Sequence, residues 1–236
     1  MQFEVDITSK HYTNAAGKRE EVLSGFKFAL HPGEVGVFVG PSGCGKSTML
    51  RIVVGLDQDY EGSVLRPAGA KIGMVFQEPR LLPWRSVEQN VRLVAPLADE
   101  GRLTALYRTL GLEEHRSHFP GELSLGLARR VALARAFAVD PDFLVLDEPL
   151  ASLDDALAAR LRTQIATLVD SRTVTTLLVT HSIDDAVCLG DRLFLLSPRP
   201  SRVIAEVPIR IPRAERGPAE LERIKADLAR LSLANS

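Results

Sequence analysis

The run Gly40-Pro41-Ser42-Gly43-Cys44-Gly45-Lys46-Ser47 constrains this chain more than any other stretch of it. It fits the phosphate-loop pattern, glycines followed by lysine and a hydroxyl at fixed spacing, and it sits directly after the apolar run Glu34 to Val39 and before a segment that reads as a helix from about Lys46. Glycines let successive backbone N–H groups turn inward around β- and γ-phosphate oxygens; Lys46 adds a point charge and Ser47 offers a hydroxyl to Mg²⁺. With Thr48 behind it, the whole segment from Gly40 is the candidate nucleotide-binding loop.

Around this loop, short apolar runs bounded by Gly or Pro alternate with helix-like stretches, the mark of an α/β sheet with crossovers. Phe3 to Ile7 alternates with period two, and Phe26 to Leu30, Ile72 to Phe76, Phe143 to Leu146, Val174 to Thr180, Arg192 to Leu196 and Arg202 to Val207 read as further strands. Between Ser86 and Val139 the pattern changes. Val87, Val91 and Val94, then Leu103, Leu106 and Leu110, recur at helical spacing, which predicts a helical insertion. Asp155 to Leu168 reads as a helix, and Leu221, Ile224, Leu228 and Leu231 fall on one face of a closing helix.

Phe143-Leu144-Val145-Leu146-Asp147-Glu148 sets two adjacent acids at the end of a buried strand, where open α/β sheets bind ligands. Taken alone, Asp147 also reads as a strand-to-helix cap. With the phosphate loop in the same chain, Asp147 is the candidate to hold Mg²⁺ through its water shell, and Glu148 to orient and deprotonate an attacking water.

Charge and composition exclude several classes. Lys+Arg number 29 against 30 Asp+Glu, a net of −1, which argues against a protein held by bulk attraction to nucleic acid or anionic lipid. No apolar stretch approaches the roughly 20 residues of a bilayer-crossing helix. The opening MQFEVDITSK lacks the cationic-then-apolar order of a signal peptide. Cys44 and Cys188 have no metal-ligand spacing and read as reduced thiols.

Between the loop and the acids lies Glu122-Leu123-Ser124-Leu125-Gly126-Leu127-Ala128-Arg129-Arg130-Val131-Ala132-Leu133-Ala134-Arg135-Ala136. This segment resembles the signature of ATP-binding cassette ATPases, whose usual core is L-S-G-G-Q. Further landmarks fall in that family's order: Gln77 in Val75-Phe76-Gln77-Glu78-Pro79, Asp154 in Ala151-Ser152-Leu153-Asp154-Asp155, and His181 in Val179-Thr180-His181-Ser182. The resemblance covers nearly the whole chain. It implies the cassette fold, a P-loop α/β core with an antiparallel β subdomain and a helical subdomain. Residues 1–236 then form one such ATPase domain, the core and β subdomain at about 1–85 and 141–236 and the helical signature subdomain at about 86–140.

The same resemblance implies that two cassettes, most simply two identical copies, sandwich two MgATP molecules head to tail. Ser124 and Gly126 of each would face the γ-phosphate held by the other, and N–H groups opening a helix suit that role. It further implies that His181 contacts the γ-phosphate, that Gln77 senses Mg²⁺ and water, that Asp154 lies across the dimer seam, and that Tyr12, or else His11, stacks on adenine. Two departures stand out: Leu125 replaces the first signature glycine and Leu127 the usual glutamine. A leucine at positive φ would cost about 1–2 kcal/mol, so a helical or extended backbone is expected at 125.

One cassette without a membrane span implies a separate transmembrane permease and a place at the cytoplasmic face of the membrane. The segments from Phe76 to Val87 and from Leu196 to Ile204 are similar to the nitrate, sulfonate and taurine importer group, which implies a small anion as cargo and a periplasmic or extracellular binding protein that acts indirectly. A cassette of an exporter or lipid-transport complex is the alternative, and no nucleic-acid partner is expected. Leu81, Leu82, Pro83 and Trp84 form an apolar cluster in a segment whose prolines disfavour a helix; it either packs inside or meets a partner, and the family's permeases insert a short helix at this hinge.

Overall fold

The computed structural model describes residues 3–15, 17–172 and 174–234, with side chains in the closing helix described as far as Leu228. The first elements are β1 (Phe3–Thr13), β2 (Arg19–Leu30), β3 (Val35–Val39), α1 (Lys46–Val53) and β4 (Glu61–Leu65). There follow β5 (Ile72–Val75), α2 (Val87–Arg92), α3 (Glu100–Leu110), α4 (Leu125–Ala138), β6 (Phe143–Asp147) and α5 (Asp155–Arg172). The chain closes with β7 (Thr175–Thr180), α6 (Ile183–Leu189), β8 (Arg192–Leu196), β9 (Val203–Pro208) and α7 (Pro218–Ala234). These elements gather into two compact units, Met1–Ala68 with Thr175–Ser236, and Gly69–Val174.

In the first unit, β1 is the middle strand of an antiparallel sheet ordered β2-β1-β4. Its opening half alternates because Phe3, Val5 and Ile7 are buried while Glu4 and Thr8 are exposed. Pairing with β2, Phe3 opposite Leu30 and Tyr12 opposite Glu20, carries the strand past a bulge at Lys10 and His11 to Thr13. β3 lies between β7 and β8 and runs parallel to both, and β9 runs antiparallel along β8. Phe38 of β3 and Phe194 of β8 stack at 4.5 Å with 6° between their planes, and Phe28 of β2 meets Phe38 edge-on at 4.6 Å. Each buried phenyl contributes about 1.5–3 kcal/mol, so this trio fastens the antiparallel sheet to the parallel one.

The end of α6 is completed from far along the chain. Its C-cap, Gly190, is extended rather than left-handed, so the last carbonyls are not closed by a local turn. Arg216 donates to the carbonyls of Val187 at 2.8 Å and Gly190 at 2.7 Å, and Arg213 to that of Leu189 at 3.1 Å and to Asp191 at 2.7 Å. Lys225 of α7 pairs with Asp184 in the first turn of α6. Along α7, Leu221 and Ile224 are half-buried and Leu228 is buried, as the one-face pattern requires; the side chain of Leu231 lies outside the described residues.

In the second unit β5 and β6 are parallel, Ile72 opposite Phe143 and Val75 opposite Leu146, and every residue of β6 is buried. A methyl group at Gly73 would stand 2.5 Å from the carbonyl oxygen of Ala136, so only glycine lets α4 lie this close to β5. Among the described residues from 86 to 139 the regular elements are all helical, as the spacing predicts. Ser86 opens α2 through a reciprocal cap with Gln89, and Asp99 opens α3, which buries Leu103, Leu106 and Leu110 and ends at left-handed Gly111.

Candidate nucleotide site

β3 ends at Val39 and the chain enters the glycine loop. Gly43 and Gly45 take φ of 75° and 128°, a region L side chains avoid, and Gly45 is lodged so that a methyl group would meet Leu23 at 3.0 Å and the Val22 carbonyl at 3.3 Å. Lys46 is 6% exposed, and its ammonium folds back across the loop to the carbonyls of Gly40 at 2.9 Å and Pro41 at 3.1 Å. Pro41, Ser42, Gly43 and Ser47 face solvent, Gly40 and Thr48 are half-buried, and Cys44 is buried. Neither a side-chain cap nor an acid occupies the first turn of α1, so its N–H groups and dipole are left for an anion. From outside, Arg199 donates to the carbonyl of Gly43 at 2.8 Å.

Strand register brings His181 to this loop. Val39 and Thr180 are partners in the parallel pair of β3 and β7, so Gly40 and the exposed His181 leave neighbouring strands at the same level. Ser182 then opens α6 by accepting from the Asp185 N–H at 3.2 Å. Tyr12 has other partners: its hydroxyl donates to Asp57 at 3.0 Å, and the buried ammonium of Lys10 lies 4.6 Å from its ring centroid. Burial pushes the Asp57 carboxyl up, but hydrogen bonds from Lys10, the Asp59 N–H and Tyr12 outweigh it and hold the group below its ordinary range. The Tyr12 ring remains 40% exposed, while His11 is engaged with Arg19 at 3.3 Å.

In the second unit the same logic places the acids. Val75 and Leu146 are register partners, so Gln77, two residues past β5, and Asp147 with Glu148, at the end of β6, leave one edge together. Asp147 is 8% exposed, Glu148 half-buried and Gln77 exposed. Glu148 has φ of 45°, a left-handed conformation that costs a non-glycine residue about 1–3 kcal/mol. Ser124 caps α4, its hydroxyl accepting from the Leu127 N–H at 3.3 Å; Leu125 is the first helical residue, so its backbone is helical as expected, and its side chain is 45% exposed. Gly126 is buried against Leu157. Asp154 accepts from the Leu157 N–H at 2.9 Å and so caps α5.

The donor chemistry suits the implied groups. Backbone N–H groups, an ammonium and a helix N-terminus are what phosphate oxygens take. Ser47 in the first unit, and Gln77 with Asp147 in the second, each carry the hard oxygens that Mg²⁺ accepts, and among the described residues no group of three His, Cys, Asp or Glu could cage a metal by itself.

Residues 23–151 match the sequence profile of the family described as "ABC transporter". The chain belongs to the ABC transporter family. As an ABC cassette it is an ATPase, with the α/β and antiparallel sheets that the resemblance implies. One relative, the aliphatic sulfonates import ATP-binding protein SsuB 2 of Pseudomonas syringae pv. tomato, is 41% identical over 209 residues, 87% of this chain and 89% of that protein. The aliphatic sulfonates import ATP-binding protein SsuB of Bacillus subtilis is 36% identical over 220 residues, 89% of this chain and 86% of that protein. Among solved structures, the dimeric structure of MJ0796, a bacterial ABC transporter cassette, superposes with a TM-score of 0.77 at 29% identity, covering 89% of this chain and 99% of that one. A dimeric post-hydrolysis state of MJ0796 bound to ADP and Pi gives 0.76 at 28%, with the same coverage.

The ABC cassette also uses residues that the pattern reading passed over. Arg129 and Arg135 of α4 and Arg199 all bond loop carbonyls. Arg129 carried a legible signal: Gly126, Arg129 and Leu133 share the spacing of the buried face, and a cation at a buried position needs acceptors.

Proposed function

We propose that this ATPase powers the import of a small anion of the nitrate, sulfonate or taurine type through a separate permease. The ATPase within this reading is supported above all by the paired strand ends, Gly40 beside His181 and Gln77 beside Asp147 and Glu148, which set the phosphate loop and the candidate catalytic groups at strand termini. Similarity to aliphatic sulfonate import proteins favours import over the exporter or lipid-transport alternative. In this reading residues 86–140 are the helical signature subdomain, and the rest, about 1–85 and 141–236, is the core with its β subdomain. Among the described residues no helix is long and apolar enough to cross a membrane, in keeping with a peripheral subunit held at the cytoplasmic face by the permease.

Residues of the loop from Gly40 to Thr48 bind the phosphates of ATP, with Lys46 as counter-charge. Ser47, Gln77 and Asp147 would hold Mg²⁺, which would supply neutralisation of phosphate charge. Glu148 takes the proton of the attacking water, His181 donates toward the terminal phosphate, and the exposed face of Tyr12 receives adenine. Ser124 and Gly126 face the nucleotide held by a second, identical copy, with Asp154 at the seam; the dimeric cassettes among the structural relatives support this arrangement. The binding protein acts only through the permease. Trp84, 71% exposed, marks the surface that meets the permease.

Glu148→Gln tests the assignment. ATP binding should persist while hydrolysis falls on the order of 10²–10⁴-fold, and gel filtration with MgATP should show an accumulating dimer. A variant that stays monomeric and still hydrolyses quickly would refute both the base and the sandwich.

A further inference from the structure

Two arginines of α4, Arg129 buried and Arg135 half-buried, grip loop backbone. Arg129, 6% exposed, donates from Nη1 to the carbonyl oxygens of Glu148 at 3.1 Å and Pro149 at 2.8 Å, while its buried Nε has no partner. Arg135 donates to the carbonyls of Arg80 and Pro79, both at 2.9 Å. Burial pushes the pKa of each guanidinium down, and for Arg129 the charge of Glu148 opposes that shift. Burying a cation is costly unless its hydrogen bonds hold something that could not otherwise be held. What they hold is unusual backbone: Glu148 and Arg80 are two of the four described non-glycine residues at positive φ, at 45° and 47°, and in both the gripped oxygen belongs to the residue in that conformation. Such a conformation persists only where its surroundings impose it.

We propose that Arg129 is a positioning residue for ATP hydrolysis: by holding the Glu148 carbonyl it fixes the left-handed peptide that aims the Glu148 carboxylate. The proposal rests on Glu148 being the general base. It gives the helix that opens at Ser124 a second task within its own chain, because any rotation or shift of α4 is delivered through one side chain to the base. The same carbonyl of Glu148 also accepts from the Ala151 N–H at 3.2 Å, so the turn carrying the base closes on a single oxygen that Arg129 polarises.

The test combines Arg129→Gln and Arg129→Lys with Glu148→Gln, reading single-turnover hydrolysis, ATP affinity, thermal midpoint and amide exchange at Ala151 in the nucleotide-free protein. Arg129→Gln should slow hydrolysis at least tenfold with ATP affinity within twofold and an unchanged midpoint, Arg129→Lys should keep more of the rate, and Ala151 should exchange faster. In the Glu148→Gln background, Arg129→Gln should slow hydrolysis no further. Wild-type turnover in Arg129→Gln, losses of affinity and midpoint in step with rate in both variants, or an additive loss in the double variant would overturn the proposal. A Glu148→Gln protein of wild-type rate would sink the base reading instead; unaltered Ala151 exchange in both Arg129 variants would show that Arg129 does not hold the peptide at all.

Discussion

Gly126 and Leu157 meet where α4 and α5 begin, and a methyl group on the glycine would stand 2.4 Å from Cδ2 of Leu157 and 3.2 Å from its Cγ. The retained signature glycine therefore packs under the Leu157 side chain as well as being a candidate phosphate contact, and a larger residue there would have to displace that leucine. Gly126→Ala should destabilise the protein by about 1–3 kcal/mol, the usual cost of overpacking, measured by urea unfolding. In a Leu157→Ala background the same substitution should cost less than half as much, because the clash has been removed.

The neighbouring position behaves oppositely. Leu125 is exposed at the first residue of α4, so Leu125→Gly loses helix propensity alone, at most about 1 kcal/mol, and leaves Gly126 and Ser124 in place. Steady-state ATP turnover should stay level or rise. A large fall with folding intact would show that the leucine makes a contact on which turnover depends.

Lys46→Ala removes the buried ammonium that crosses the loop to Gly40 and Pro41. Phosphate then loses its counter-charge, worth roughly a few kcal/mol, so ATP affinity should fall by about two orders of magnitude. A labelled-ATP titration matching wild type would remove the loop from the site.

Trp84 follows two half-buried leucines and a proline, and its indole is in water, which favours a partner surface over core packing. Trp84→Ala should keep basal ATPase and thermal midpoint near wild type in the isolated subunit, yet abolish co-purification with the permease and uptake. Parallel losses of ATPase and midpoint would make it a core residue.

What could be read from the sequence was what is local. The loop from Gly40 and the buried run of β6 with its two acids each announce themselves within a dozen residues, as do the helical spacings of Val87 with Val91 and of Leu103, Leu106 and Leu110. β4 did not: four of its five residues are exposed, so it lacks alternation, and it exists because β1 offers Asp6 and Ile7 to a strand on which a methyl group at Gly62 would stand 2.0 Å from the Asp6 carbonyl oxygen. The polar half of β1 is likewise held by β2 rather than by its own pattern. Seven-residue α6 is too short to show a period, and the grip of Arg129 joins positions nineteen residues apart through tertiary contact.

α6 follows His181 directly, yet its last carbonyls wait for a guanidinium that lies 26 residues past Gly190. During synthesis the helix emerges long before its closure does, and until Arg216 arrives those carbonyls must stay with water. The segment that follows His181 is thus completed only by residues further along the chain, and a nascent chain stalled short of residue 216 would leave the last carbonyls of α6 to water.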